Sequence, residues 1–566
     1  DEVPRDFNYT ELRAHIARAA NLLLSNGARR GVTVALLLPN LFEQQFLFWG
    51  AQAAATALPL NHLLEPEHLA GLLIAAEARV LVALGPVPGA QIWEKALAVR
   101  DLMGDRLECV IQVGGPPDRR PGIVQYGECM GLASDQLDSA LLPGPNDIAA
   151  IFHTGGTTGS PKLVQHTHRN ELAAAYAYAC AAELTPADVC VNGFPMFHVA
   201  GAICLSLGTY MAGAHLINLS AAGFRNPAMV TNHWQIVDRY GVTVAGAVAT
   251  ALGSIAEIPL GDHDISSLRL TVSGGALVPR TVAQRFEAAS GVKVHEVYGM
   301  TEASAVICVE PARGERVLGS VGFAAPFVRV EIRELLKSGG VGSRLSDGGV
   351  GVLVVQGATV MPGYKEPRHN QAVLTEDGWL ITGDLATRDP DGRITLLGRS
   401  KDLIIRGGHN IDPLVIEETA MSHPDVAGAA AVGEPDQYAG ELPVCYVVLR
   451  PGASVTPESL ADYIASRVPE RPARPKRVYA VDALPLTGVG KVFKPALRQD
   501  AVRKVVVRQT EGLPIARVGT RDGPGGTIVV TIAAAADAHI DELRNALAPR
   551  LADFQFTWEL VALDRS

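Results

Sequence analysis

"TVAQRFEAASGVKVHEVYG", Thr281 to Gly299, decides the fold: its first part reads as a helix and leads directly into a strand. The same sequence of patterns occurs elsewhere. "YTELRAHIARAANLLLSNG" (Tyr9 to Gly27) is an amphipathic helix with a glycine stop, and "VTVALLLPN" (Val32 to Asn40) follows as a strand. "EPEHLAGLLIAAEA" (Glu65 to Ala78) leads into "RVLVALG" (Arg79 to Gly85). Helix and strand alternating at these lengths predict an α/β protein of βαβ units, with parallel sheets covered by helices.

From Gly339 the texture changes to glycine-punctuated β, as in "GGVGVLVVQG" and "GWLITGDLATRDPDGRITLLGRS". Asp389-Pro390-Asp391-Gly392 between two apolar runs is a hairpin signal. This stretch predicts a small β-barrel-like part attached to the large domain. After about Lys401 a smaller α+β domain is expected, ending in a strand–helix–strand tail from about residue 511.

A chain of 566 residues exceeds one ordinary core, so about two to four domains are expected. A hydrophobic content of 48% excludes a disordered chain. The net charge of −10 argues against nucleic acid or an anionic membrane as the main partner. The seven cysteines are scattered and form no CxxC, which points to neither a disulfide framework nor a zinc site and fits a reducing cytoplasm. Val199 to Leu219 carries no Asp, Glu, Lys or Arg. Its glycines, His215 and Asn218, and the lack of a flanking basic cluster, favour a buried helix and strand beside a pocket over a membrane span. No signal peptide is visible, although the chain opens at Asp1 rather than Met.

"IFHTGGTTGSPK", Ile151 to Lys162, is a strand running into a loop of glycines, threonines and a lysine. Glycine lets backbone N–H groups approach closely, and hydroxyls and an ammonium add donors, which together suit phosphate oxygens. The NTPase loop needs GK followed by Ser or Thr, whereas here Gly159 precedes Ser160, Pro161 and Lys162. A nucleotide loop of another kind is expected.

Four further segments share this chemistry: "VSGGALVP" (Val272 to Pro279), "EVYGMTEAS" (Glu296 to Ser304), the run holding Asp384 and Arg399, and "LPLTGVGKVFKPALR" (Leu484 to Arg498). In this order the five segments resemble the adenylate-forming superfamily: acyl-CoA synthetases, luciferases and peptide-synthetase adenylation domains. The resemblance runs from about Asn8 to Arg498. It implies an adenylation domain over 1–398, a hinge at 399–402 with Lys401 at its pivot, and a mobile C-terminal domain over 403–566.

The resemblance also assigns roles. Thr154, Gly155, Gly156, Thr157, Thr158, Gly159 and Lys162 would handle the β- and γ-phosphates of ATP. Gly275, Ala276 and Tyr298 would sandwich adenine, Glu296 and Val297 would belong to the same ATP site, and Thr301 would contact the α-phosphate. Glu302 would ligate Mg²⁺, Asp384 would accept from the ribose hydroxyls, Arg399 would contact the ribose or a phosphate, and Lys491 would bridge carboxylate and phosphate during adenylation. Gly407, Gly408 and His409 would face the thiol arm of CoA. Such chemistry needs no side-chain nucleophile: a lysine and Mg²⁺ offset the repulsion between a carboxylate and a triphosphate. This sequence departs from the family pattern at Gly155, where serine is usual, at Leu163, where glycine is usual, and at Val415, where glutamate is usual. Altered loop dynamics with retained activity is the expectation.

Adenylation domains for α-amino acids generally carry an aspartate in the segment that here reads "FPMFHVAG", which has none. A carboxylic acid without an α-ammonium group is therefore expected. His198, Gly201, Gly246, Ala247, Gly299 and Ala303 are the candidate acyl pocket, whose small apolar residues favour a medium or long acyl chain. With no carrier-protein serine motif, the acceptor is expected to be free CoA. Aryl-CoA ligase, luciferase-like oxygenase and amino-acid adenylation remain alternatives, and oligomeric state stays open, a homodimer included.

Overall fold

The computed structural model describes residues 4–154, 162–336, 340–407, 409–488, 490–523, 527–536 and 538–562. The opening stretch folds as its pattern predicts. Helix Arg280–Ser290 buries Val282, Ala283 and Phe286 and stops at Gly291, which takes the left-handed conformation at φ 73°. Strand Val294–Tyr298 follows and pairs in parallel with Leu270–Gly274, which pairs in parallel with Val244–Ala247. Helix Tyr9–Ser25 starts from a capping box in which the Asn8 side chain accepts from the Glu11 N–H and Glu11 reaches back to the Asn8 N–H.

Two mostly parallel sheets form the large part. One has seven strands, running from Phe323–Ala324 through Cys308–Val309, Val294–Tyr298, Leu270–Gly274, Val244–Ala247 and Val189–Asn192 to His215–Asn218. The other has eight, from Gly363–Tyr364 through Lys162–Thr167, Ile148–Thr154, Thr56–Pro59, Thr33–Leu37, Ala78–Leu84 and Cys109–Val113 to Ile123–Gln125. One apolar core spans both sheets and takes in Phe48, Phe152 and Tyr178, which removes enough apolar area from water to hold the layers together. The uncharged stretch after Val199 is a π-helix, Ala200–Leu207, a short α-helix and the strand His215–Asn218. Among the described residues no helix is long and apolar enough to cross a membrane.

The glycine-punctuated region is a five-stranded sheet in the order Val341–Arg344, Val328–Leu335, Gly351–Gly357, Leu380–Arg388, Ile394–Arg399. A bridge between Gly322 and Ile394 ties its edge back to the large part, where the barrel-like element was expected.

Another sheet holds His409–Ile411, Ile404–Arg406, Gly440–Leu449 and Val426–Asp436, with Arg477–Ala480 alongside. The tail strands Ile515–Asp522, Ile528–Ala534 and Thr557–Val561 form a three-stranded sheet with helix Ile540–Leu551. Helix Lys494–Gln509 serves both units. Leu497 and Ala501 pack with Val432 and Tyr446, whereas Val502 and Val506 pack with Ile532 and Leu547.

Candidate active site

Strands Leu270–Gly274 and Val294–Tyr298 are parallel neighbours, so both deliver their C-terminal residues to one edge, where open α/β sheets bind ligands. The DPDG turn makes Asp384 and Arg399 cross-strand partners. The Tyr298 hydroxyl donates to Asp384 Oδ2 at 2.5 Å, and Arg399 Nε donates to Oδ1 at 3.1 Å. Asp384 is buried, which raises its pKa above the usual carboxylate range, and the Arg399 guanidinium opposes that rise. An acid with two acceptor oxygens held this way suits a vicinal diol.

Lys491 reaches the same place from the other end of the chain. Thr487 fixes its turn: the Thr487 N–H donates to the Lys491 carbonyl at 2.7 Å, and the Thr487 hydroxyl oxygen accepts from the Lys491 N–H at 3.1 Å. The Thr250 hydroxyl donates to the Gly490 carbonyl at 3.1 Å, which docks this turn on the large domain. Gly275, at φ +88°, leaves the space the lysine needs. A Cβ there would lie 2.7 Å from Lys491 Cε and 3.2 Å from Nζ. Burial pushes the Lys491 ammonium down to about 8, Arg399 adds to that, and Asp384 opposes it.

Two neutral imidazoles flank this region. His198 Nδ1 accepts from the Ala200 N–H at 3.2 Å, and burial, with Lys491 and His153 adding, pushes its pKa down to about 3. His153 Nε2 accepts from the Asn61 N–H at 3.2 Å, and burial takes it down to about 4. Phe197 lies between rings, His153 stacked at 6.4 Å and His62 edge-on at 6.0 Å. His153 and His62 were not legible as site residues, because nothing in their spacing separates them from ordinary core histidines.

On the phosphate side, Thr154 and Lys162 are cross-strand partners at the mouth of the loop; Gly155, Gly156, Thr157, Thr158 and Gly159 lie outside the described residues. Lys162 Nζ sits 5.6 Å above the Tyr364 ring, and the Tyr364 hydroxyl donates to Glu302 Oε1 at 2.7 Å. Sequence reasoning missed Tyr364, whose only signal is its place in "MPGYK". Glu302 is a buried carboxylate on the short helical turn Thr301–Ala303. Among the described residues no group of three or more His, Cys, Asp or Glu gathers into a metal cage. A lone buried carboxylate fits Mg²⁺, which takes one or two carboxylates and completes its shell with substrate phosphates and water.

The other expected residues scatter more. Ala276 is exposed beside Gly275, and Val297 is half-buried in its strand. Glu296 turns inward, accepting from the Val278 N–H at 3.2 Å, and burial pushes its carboxyl up to about 8. The glycines of the expected acyl pocket sit close to neighbouring atoms. A Cβ at Gly246 would lie 3.1 Å from the Leu205 methyls, one at Gly201 2.5 Å from the Pro195 carbonyl, and one at Gly299 1.5 Å from the Ala305 carbonyl. Ala247, next along the strand from Gly246, points to the opposite face and packs with Leu252 and Val278. Ala303 is buried. At these three glycines a larger side chain would meet the protein's own atoms.

Lys401 is exposed between strands Ile394–Arg399 and Ile404–Arg406, and its carbonyl accepts from Arg498 Nη1 at 3.3 Å. Gly407, at φ +54°, donates its N–H to the Ala439 carbonyl at 2.8 Å. His409 is exposed opposite Arg406, and Gly408 lies outside the described residues.

The chain is an ATP-dependent, AMP-forming acid–thiol ligase that uses ATP, CoA and Mg²⁺, as its likeness to known proteins shows. The sequence profile of the AMP-binding enzyme family matches residues 2–365, and that of the AMP-binding enzyme C-terminal domain matches residues 415–491. The chain belongs to the AMP-binding enzyme family, on its acyl-CoA ligase side.

It is 36% identical to the marinolic acid–CoA ligase of Pseudoalteromonas sp. (strain SANK 73390), across 99% of this chain and 86% of that protein, so the tail falls within the likeness. It is 29% identical to a long-chain-fatty-acid–CoA ligase of Bacillus subtilis, across 88% and 90% of the two chains. ATP-bound MatB from Rhodopseudomonas palustris superposes with a TM-score of 0.77 at 29% identity, covering 87% of this chain and 93% of that one.

Proposed function

We propose that the chain activates a medium- or long-chain carboxylic acid to its CoA thioester. The observation that carries the adenylation in this reading is Lys491, held over Gly275 beside the Tyr298–Asp384–Arg399 group, and the size of the acid rests on the relatives. Asp384 and Arg399 bind the ribose, and Tyr298 offers adenine a ring face. The acid's carboxylate oxygen attacks the α-phosphorus, the bond to the β-phosphate oxygen breaks, and pyrophosphate leaves. Lys491 neutralises both reactants during that approach. Mg²⁺, when bound, would be held by Glu302 and supply charge neutralisation on the phosphates. The thiol of CoA then attacks the acyl carbon, and AMP departs with its phosphate oxygen. Residues 399–402 act as a hinge for this second step, with Lys401 at the pivot and Gly407 and His409 turning toward the thiol arm.

Relatives named for marinolic acid and for long-chain fatty acids support a large organic acid. An aryl acid is the second reading, favoured by Phe197 between two histidine rings. The test is pyrophosphate release across acids from acetate to palmitate, with benzoate and cinnamate, with and without CoA. Acetate as the best substrate would refute the large-acid reading, and a preference for benzoate or cinnamate would establish the aryl one. Acid-dependent pyrophosphate release without thioester would remove CoA as acceptor.

A further inference from the structure

The strand that leaves the phosphate loop also reaches the Thr301–Glu302 turn. His166, on Lys162–Thr167, has 0% exposure, and its ring is tilted against Phe152 at 5.0 Å. His166 Nε2 lies 2.7 Å from the Thr301 carbonyl oxygen. A carbonyl only accepts, so Nε2 carries the hydrogen. Behind the ring, Glu171 Oε1 stands 3.6 Å from Nδ1, and the other Glu171 oxygen accepts from Gln52 Nε2 at 2.9 Å. At 3.6 Å Glu171 stands beyond hydrogen-bond distance, so the ring is held by its packing against Phe152 and by its bond to Thr301.

The turn that receives this bond is strained. Ser304 and Ala305 take φ of 49° and 95°, although neither is glycine. On the other side, the Ala305 carbonyl crowds Gly299 so closely that no side chain fits there. Backbone of this kind persists only where its surroundings over-determine it. Tyr364 supplies a second hold: it pairs with Val164 of the same strand and grips the Glu302 carboxylate. One strand thus fixes Thr301 through its own side chain and Glu302 through its neighbour.

We propose that His166 is a positioning residue that clamps the Thr301 carbonyl and so aims Thr301 and Glu302 at the α-phosphate and its Mg²⁺. The clamp rests on the adenylation reading above. His166→Gln retains a nitrogen donor near the Nε2 position, whereas His166→Asn and His166→Leu do not reach Thr301. The readout without turnover is the rise in melting temperature produced by α,β-methylene ATP, which cannot be cleaved between its first two phosphates, titrated against Mg²⁺. Initial rates of pyrophosphate release give the second readout.

Loss of such a supporting partner typically costs about tenfold in metal affinity or activity. His166→Asn and His166→Leu are expected to need about tenfold more Mg²⁺ for the half-maximal shift, with KM for the acid unchanged; His166→Gln should stay within about threefold of the parent. If His166→Leu does not fold, the contrast between Gln and Asn decides the matter. Identical Mg²⁺ half-points in all variants would overturn the clamp, as would His166→Gln failing as badly as His166→Asn. A parent that releases no pyrophosphate with any acid, yet keeps the Gln–Asn contrast, would refute the adenylation reading and leave the clamp standing.

Discussion

Replacing Lys491 with methionine keeps most of the side-chain volume and removes the charge. Burial holds the Lys491 ammonium at about 8, against an ordinary 10.5. That displacement corresponds to on the order of 3 kcal/mol by which the folded, ligand-free site disfavours the charged lysine at neutral pH. The sign follows from proton counts. Between pH 8 and 10.5 the unfolded chain binds a proton at this position and the folded chain does not, so parent stability rises with pH across that window. Below pH 8 both states are charged and the full penalty applies.

Lys491→Met is therefore expected to be more stable than the parent at pH 7.5 and to lose adenylate formation. Its advantage should shrink by on the order of 2 kcal/mol by pH 9.5. Urea unfolding of both proteins without ligands, at the two pH values, measures this directly. A variant no more stable than the parent at pH 7.5, or a stability gap that stays constant with pH, would refute the reasoning.

Asp384→Ala should raise KM for ATP by roughly tenfold to a hundredfold, since charge-assisted hydrogen bonds to the ribose are worth roughly 1.5–3 kcal/mol; unchanged ATP saturation kinetics would place Asp384 elsewhere. Tyr364→Phe should leave KM for the acid alone and lower kcat for adenylation by about fivefold to tenfold, because Glu302 Oε1 loses its donor. Equal activity in the two proteins would make that bond incidental. Leu205→Ala should lengthen the preferred acyl chain if Leu205 closes the pocket over Gly246, a shift read from kcat/KM at about 0.8 kcal/mol per added CH₂. An unchanged chain-length profile would move the pocket away from Gly246.

The helix–strand alternation and the order of motifs were legible because each is local. Gly291 stops a helix within one stretch, and the DPDG turn sets Asp384 against Arg399 within one hairpin. The contacts that sharpen the site are not local. His166 meets Thr301, and Tyr364 meets Glu302, only after two sheets and a loop have folded, and no spacing in the chain encodes those meetings. Glycine is the letter whose local reason the sequence leaves open. At Gly275 it does admit a functional group, whereas at Gly201, Gly246 and Gly299 it admits the protein's own atoms. Sequence alone presents these cases as the same.

Helix Lys494–Gln509 shares its faces between the small domain and the tail, and its 16 residues make a rod about 24 Å long. The tail is consequently joined to the small domain by packing along this rod and not by a loose strand of chain. If the proposed hinge at 399–402 turns the small domain, the tail sheet should move with it through this shared packing. A fluorophore on the exposed edge at Thr557, paired with one on the large domain, would report the small domain's orientation turnover by turnover while leaving both substrate sites untouched.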